Sequence, residues 1–135
     1  MLFRSVDSLR FLTLAEVLYL HAESLARFGG LAGVREPALV ESAMASAENT
    51  FHYGNGTVFD VAASYAFHLA ESQAFLDGNK RTAAACALMF LRLNGQPMVR
   101  DDGTLFQAMI AIAERRSDKR RLAEELKRLC DEFHV

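Results

Sequence analysis

The chain has 135 residues, of which 51% are hydrophobic and only two are proline. This length and composition predict a single domain, residues 1–135, with a buried core, and they argue against disorder. The formal net charge of −2 excludes a global electrostatic attraction to nucleic acid or to an anionic membrane, so any anion site must be local.

Cysteine usage and hydropathy indicate a cytoplasmic protein. Cys86 and Cys130 lie in apolar helical patterns without the spacing of metal ligands, which is typical of reduced core residues in a cytosolic protein. The N-terminal residues lack the basic leader and long apolar run of a signal peptide. No segment reaches the roughly 18 uncharged apolar residues of a membrane span. We therefore expect no contact with membranes.

Helix start and stop signals predict six helices. Thr13 followed by Glu16 is a capping box that begins the first helix, and Gly29-Gly30 ends it. Pro37 suits the first position of the second helix. The fourth helix is apolar nearly all round, as is typical of the central helix of a bundle. The predicted helices cover about residues 14–28, 37–49, 59–72, 79–93, 104–115 and 118–135.

Residues 50–59 predict an exception to this helical pattern. Aromatic and β-branched residues flank Gly54-Asn55-Gly56, which is typical of a β-hairpin. An isolated hairpin this short would be marginally stable, so we expect it to pack on the helices or to await a partner strand. The expected fold is therefore all-α, a compact bundle of about six helices with a small β-hairpin near residues 50–59.

A short polar loop, residues 72–82, connects two of the most apolar segments in the chain. Within five positions it carries a carboxylate, an amide and two cations, namely Asp77, Asn79, Lys80 and Arg81. The start of the following helix offers backbone N–H groups and the positive end of the helix dipole, and Gly78 lets the backbone approach a ligand. Phosphate binds readily at such a terminus, so the loop is a candidate anion site.

Individual residues of this loop suit particular roles. Asp77 could hold Mg²⁺ beside phosphates, and Asn79 could orient either a phosphate or the loop itself. Phe75, an apolar residue in a polar loop, is expected to plug into the core and fix the shape of the loop. The alternative is that Asp77 only caps the helix and that Lys80 and Arg81 are solvated. Cations at a helix N-terminus oppose the dipole unless an anion is bound, which favours the anion site.

The segment Phe75-x-Asp77-Gly78-Asn79-Lys80-Arg81 resembles the core signature of the Fic/Doc superfamily, His-x-Phe-x-(Asp/Glu)-(Gly/Ala)-Asn-x-Arg. Four flanking segments resemble the death-on-curing (Doc-type) toxins of bacterial toxin–antitoxin modules, namely residues 11–16, 27–30, 41–43 and 90–95. The likeness covers roughly residues 11–99. The resemblance implies a compact helical bundle with a flap hairpin before the motif. The flap would align a protein target by strand addition, through Phe51, His52, Tyr53, Thr57 and Val58.

Two positions are similar to one branch of the superfamily. The AMP-transferring enzymes carry Gly where this chain has Lys80 and a second Arg where it has Ala84, whereas both residues here match the Doc branch. The resemblance implies a protein kinase that moves the γ-phosphate of ATP to a threonine of a translation elongation factor. It implies that phosphates are held by the motif residues Gly78, Asn79, Lys80 and Arg81, with Mg²⁺ on Asp77.

The histidine that serves this family as general base falls at Gln73. A glutamine amide cannot take a proton near neutral pH, and a general base contributes about 10²–10⁴ in rate. Three interpretations stay open: a divergent enzyme in which Gln73 positions a hydroxyl, an inactive partner of an antitoxin, and an engineered knock-out. Ser72 and Ala74 also depart from the commoner residues beside the histidine, which favours natural drift. AMP transfer to a protein is a further alternative.

The other histidines are expected to pack in the bundle or to be solvated. His68 lies about 140° round its helix from Gln73, His52 lies on the predicted flap, and His21 is expected to be a satisfied core residue. No Ser or Thr lies four residues before a Glu, so the inhibitory helix of many Fic proteins is not expected. The resemblance therefore implies regulation in trans by a small antitoxin protein.

Overall fold

A computed structural model describes residues 9–54, 56–96 and 104–131. These ranges form six α-helices: α1 (Leu14–Phe28), α2 (Pro37–Gly54), α3 (Val58–Ser72), α4 (Asn79–Leu93), α5 (Thr104–Ala113) and α6 (Lys119–Asp131). The predicted all-α class is confirmed. None of the described helices is long and apolar enough to cross a membrane. Residues 96–99, for which the sequence indicates an extended segment, and residues 101–103, for which it indicates a turn, lie almost wholly outside the described residues.

The predicted capping signals set the helix boundaries near the site. Glu16 N–H donates to Thr13 Oγ1 at 3.1 Å, and Thr13 N–H donates to Glu16 Oε1 at 2.8 Å, which completes the capping box of α1. Gly29 follows α1, and its N–H donates to Leu25 O at 2.7 Å. Pro37 is the first residue of α2, and α4 has the predicted bounds. Local signals were sufficient here because each cap is satisfied within a few residues.

The β-hairpin predicted for residues 50–59 is wrong in the part of it that the structure describes. Phe51, His52 and Tyr53 belong to the last turn of α2, and Val58 is the first residue of α3. Thr57 caps α3 in a second capping box with Asp60. Asn55, in the middle of the predicted turn, lies outside the described residues.

Tertiary contacts explain why this segment is helical despite its β-forming composition. Thr50 Oγ1 lies 3.1 Å from Ser46 O, one turn earlier, and 3.0 Å from Ser64 Oγ on α3. The Phe51 ring packs edge-on against Phe11, with centroids 6.0 Å apart. These contacts reward a helix at residues 50–54, and tertiary packing routinely overrides the modest β preference of aromatic and β-branched residues.

Helices α3 and α4 form the centre of the bundle. Helix α3 contacts α2, α4, α5 and α6, and α4 also contacts α1 and α5. Alanines line the buried faces of both central helices, which lets the two backbones approach closely; they are Ala62, Ala63, Ala66, Ala83, Ala84 and Ala87. Tyr65 and Phe90 fill the space beside them and are fully buried. The close α3–α4 packing fixes the loop that joins these helices.

The sequence predicts one apolar face of α1, and this prediction is only partly correct: the face comprises Leu14, Val17, Leu18, Leu25 and Phe28. Val17 is buried as expected, but Leu14 is 38% exposed and Phe28 is 56% exposed. The buried face instead includes His21 and Ser24, which are polar. The helix therefore packs its polar residues against the loop before α4 and leaves the Phe28 ring at the surface.

Replacing Tyr65 with phenylalanine should destabilise the fold. The Tyr65 hydroxyl accepts a hydrogen bond from the buried Leu12 N–H at 3.0 Å. Loss of that acceptor leaves a buried donor without a partner. The free energy of unfolding should therefore fall by about 1–3 kcal/mol in urea titrations followed by circular dichroism. Tyr53→Phe is the matched control, since Tyr53 is 84% exposed. Equal stability of the two variants would contradict this account of the hydroxyl.

Candidate functional site

A cavity of about 500 Å³ opens at the first turn of α4. The end of α1, the end of α3, the loop before α4 and one residue of α5 contribute to its wall. It brings together six predicted site residues: Gln73, Asp77, Gly78, Asn79, Lys80 and Arg81. None of the five predicted flap residues and neither Phe75 nor Ala74 lines it. The structure therefore gathers the polar loop into one site and leaves the end of α2 outside it.

The connection between α1 and α2 runs beside this loop in an extended conformation. Arg35 N–H and Glu36 N–H both donate to Ala74 O, at 2.7 and 3.1 Å, and Leu76 N–H donates to Gly33 O at 3.1 Å. Val34 and Phe75 form an antiparallel bridge. Sequence reasoning missed this pairing because it joins two loops that are far apart in the chain and that carry no strand pattern.

Phe75 and His21 fasten the loop to α1. Phe75 is 2% exposed, and its ring stacks on the His21 imidazole with centroids 3.9 Å apart and planes 13° apart. His21 Nε2 lies 2.9 Å from Asp77 O, and because a carbonyl only accepts, Nε2 donates this hydrogen bond. The expectation that His21 is a satisfied core residue is confirmed. The Nε2 atom of His21 is therefore bonded to the loop and is not available to a ligand.

Asn79 closes the loop on itself. Its Oδ1 accepts from Phe75 N–H at 3.1 Å, and its Nδ2 donates to Phe75 O at 3.0 Å. Both ends of the amide are therefore spent on the backbone of one residue. Of the two roles considered for Asn79, the geometry supports orientation of the loop.

Asp77 presents a fixed carboxylate at the edge of the cavity. Its Oδ1 accepts from Gly78 N–H at 2.9 Å, and its Oδ2 accepts from Leu31 N–H at 3.2 Å. Gly30 approaches so closely that a Cβ there would lie 2.8 Å from Asp77 Oδ2. The N-cap of α4 is Gly78, in the left-handed region at φ 76°, and it makes no side-chain hydrogen bond. Asp77 is thus not the cap of α4.

The two cations of the motif lie in different surroundings. Lys80 is exposed and borders both this cavity and a second one of about 540 Å³, which is also lined by α5 and by the connection between α5 and α6. The guanidinium carbon of Arg81 lies 3.9 Å from the centroid of the Phe28 ring and 4.2 Å from that of Phe106. Sequence reasoning gave Phe106 no role, because nothing in a single helix shows which loop it will meet.

Gln73 ends α3 in a left-handed conformation, with φ 49° and ψ 44°. This region is sparsely populated by residues other than glycine, asparagine and aspartate, and here it turns the chain sharply into the loop. The side chain is exposed and borders both larger cavities. Gln73 therefore lies at the boundary between them.

No histidine in the described ranges lines the 500 Å³ cavity. His52 contacts the rings of Phe11, Phe51 and Tyr53. His68 Nε2 accepts from Lys119 Nζ at 3.2 Å, while burial and then the positive charge of Lys119 lower the pKa of His68. Neither residue takes the place of a base at Gln73, and His134 lies outside the described residues.

Comparison with known proteins matches this arrangement to one family. Residues 11–91 match the Fic/DOC family. The chain is 33% identical over 122 residues to "Protein kinase doc" of Escherichia phage P1, an alignment that spans 90% of this chain and 96% of the relative. It is 40% identical over 77 residues to "Toxin Doc" of Mycolicibacterium smegmatis, spanning 55% of this chain and 58% of that protein.

The matched region includes every element that builds the cavity except α5, and it contains the whole of the loop from Gln73 to Arg81. The resemblance noted from the loop and its flanks is thereby confirmed at the level of the family. This chain forms a helical bundle with the loop at its centre, and it is matched over most of its length. It therefore belongs to the Fic/DOC family.

Proposed function

We propose that this protein is a Doc-type toxin that transfers the γ-phosphate of ATP to a hydroxyl group of another protein. The observation that carries the proposal is the convergence of Lys80, Arg81 and the start of α4 on one cavity beside the Asp77 carboxylate. A relative matched over 96% of its length is named a protein kinase, which supports the same reaction class. A translation elongation factor is the expected acceptor.

The start of α4 supplies the phosphate site. Its N-cap has no side-chain hydrogen bond, so the first-turn N–H groups of Asn79, Lys80 and Arg81 are available to oxygen atoms of a phosphate chain. The two cations stand at the positive end of the helix dipole, an unfavourable placement that bound phosphates reverse. A volume of about 500 Å³ is within the usual range for a site that holds a nucleotide-sized ligand.

A magnesium ion fits this site as a companion of the nucleotide. The described residues contain no cluster of three or more acidic, histidine or cysteine ligands, so they offer no cage made of protein alone. Mg²⁺ is commonly held by one or two carboxylates together with substrate phosphates and water, and Asp77 provides one such carboxylate. The ion would neutralise charge on the phosphate oxygens when bound.

Gln73 is placed to orient the acceptor. The hydroxyl oxygen of the acceptor forms a bond to the γ-phosphorus, the bond from that phosphorus to the bridging oxygen of ADP breaks, and the hydroxyl proton passes to a phosphoryl oxygen or to water. The Gln73 carbonyl can accept a hydrogen bond from the hydroxyl without taking its proton. Phosphoryl transfer depends mainly on positioning and charge stabilisation, so the reaction proceeds, but without a general base. The left-handed backbone at Gln73 supports a positional role, since such conformations cluster at functional sites.

Two residues favour transfer of the γ-phosphate over transfer of AMP. Ala84 is 3% exposed and lines, with Arg81, a small cavity of about 70 Å³, so this position brings no second arginine to the phosphates. Lys80 adds a cation where the AMP-transferring enzymes have glycine. The charge is therefore arranged differently from that of the AMP-transferring branch.

The acceptor and the antitoxin are best accommodated beside residues 31–36. This segment pairs with the loop at Ala74 and Leu76 and leaves apolar side chains at the mouth of the cavity, with Leu31 69% and Leu76 54% exposed. The end of α2, where the flap was expected, lines neither of the two larger cavities. A protein segment added along it would reach Gln73, and an antitoxin bound there would block the site in trans.

Incubation with a bacterial elongation factor and ATP-Mg²⁺ should add one phosphate to a hydroxyl residue of the factor, detected by intact-mass and peptide mass spectrometry. One phosphate is expected because the proposed site holds ATP for transfer of its γ-phosphate. Arg81→Ala, which removes a phosphate ligand, should leave the factor unmodified. An added AMP would establish nucleotidyl transfer instead, and no modification would establish a binding partner without catalysis.

Gln73→His should raise the rate of phosphate transfer by about 10²–10⁴, because it supplies the missing general base. The rate is followed with radiolabelled ATP, and the affinity for ATP should stay unchanged, since position 73 faces the acceptor. The same substitution in an Arg81→Ala background should bring no gain. An unchanged rate in the single variant would refute the assignment of Gln73 to the position of the base.

Arg81→Ala should weaken ATP-Mg²⁺ binding about tenfold to a hundredfold in calorimetry, the cost of hydrogen bonds to a charged group. Arg92→Ala is the matched control, because Arg92 is an exposed arginine in the last turn of the same helix. It should bind as the unmodified protein does. Equal affinities for all three proteins would remove Arg81 from the phosphate site.

A further inference from the structure

We propose that Phe28 and Phe106, here called the aromatic pair, are positioning residues that hold the Arg81 guanidinium in place before phosphate binds. The inference rests on the proposed phosphate site and names the device that prepares it. Phe28 is the last residue of α1, and Phe106 lies in the first turn of α5. Two helices that both contact α4 thus meet at a single side chain of α4.

The geometry is that of a cation held over ring faces. The Arg81 guanidinium carbon lies 3.9 Å from one ring centroid and 4.2 Å from the other, well inside the roughly 6 Å limit of cation–π attraction. Arg27 also approaches the Phe28 ring, but its guanidinium carbon is 5.9 Å away, near that limit. Arg81 is therefore the principal cation of the pair.

This contact holds Arg81 without using its hydrogen-bond donors. Ring faces attract the guanidinium through its charge and its flat surface, whereas the five N–H donors point outward in the plane of the group. Across the described part of the chain, the Arg81 side chain makes no hydrogen bond and no ion pair. Its donors therefore remain for a ligand in the cavity, which Arg81 lines together with both rings.

The placement of Phe28 points the same way. The ring is 56% exposed, so burial of its surface contributes little to the stability of the bundle. The same three side chains also line the 70 Å³ cavity, where Glu23 offers a carboxylate to a mobile arginine. Rings that restrain Arg81 keep it directed to phosphate and spare the ligand the entropy cost of ordering a long side chain.

The test is calorimetry with inorganic tripolyphosphate and Mg²⁺, a probe that has no nucleoside. Phe28→Leu and Phe106→Leu should each weaken binding about three- to tenfold, the range expected for one cation–π contact. Phe28→Tyr and Phe106→Tyr keep a ring face and should bind like the unmodified protein. Tyr53→Leu removes an exposed ring at the end of α2, which lines neither cavity that Arg81 lines, and should also change nothing.

A double-mutant cycle separates positioning from simple packing. Once Arg81→Ala has removed the guanidinium, the leucine substitutions should have no further effect on affinity. The order parameter of the Arg81 Nε–H bond, measured by nuclear magnetic resonance in the ligand-free protein, should fall in either leucine variant. A packing role would lower affinity equally with and without Arg81 and would leave that order parameter unchanged.

The possible failures are distinguishable. If Arg81→Ala weakens binding but the leucine variants do not, the aromatic pair is not a positioning device and the phosphate site stands. If Arg81→Ala leaves the affinity unchanged, the phosphate site of the proposed function is refuted and the pair with it. If Phe106→Leu does not fold, Phe28→Leu still decides the question, because Phe28 is largely at the surface.

Discussion

The closed loop between α3 and α4 is the constraint on which the site depends. The Asn79 amide bonds both the N–H and the carbonyl of Phe75, and the Phe75 ring stacks on His21 of α1. Burial of one aromatic ring thereby fixes the backbone of a polar loop against the core. The positions of Asp77 and Gly78 follow from this, because both residues have little freedom between the two anchored ends.

The same arrangement concentrates positive charge where the helix dipole is already positive. Lys80 and Arg81 would repel the start of α4 in the empty protein, and α4 has no acidic residue in its first turn to compensate. The fold tolerates this repulsion at the start of α4 because the contact between α3 and α4 is extensive and apolar. The alanine-lined core therefore supplies the stability. The anion proposed for this site would relieve that electrostatic cost.

Much of the architecture is readable from local patterns. The Thr13 box and Pro37 mark helix starts, and the charged loop marks the candidate site, because each feature is completed by neighbours in sequence. The hairpin predicted at residues 50–59 is wrong because contacts with Ser46, Ser64 and Phe11 favour a helix at residues 50–54. Ser64 and Phe11 lie outside α2, so a local pattern does not reveal these contacts. Phe106 and residues 33–36 could not be predicted for the same reason: their partners come from distant parts of the chain.

Gly30 shows how far the demands of such a site reach into sequence evolution. The residue is exposed, carries no functional group and supports no core contact, so it would pass for a freely variable surface position. Yet any side chain there would collide with the Asp77 carboxylate. Drift at position 30 is therefore limited by a carboxylate 47 positions away in the chain, and also by a backbone φ of 125° that residues other than glycine rarely adopt.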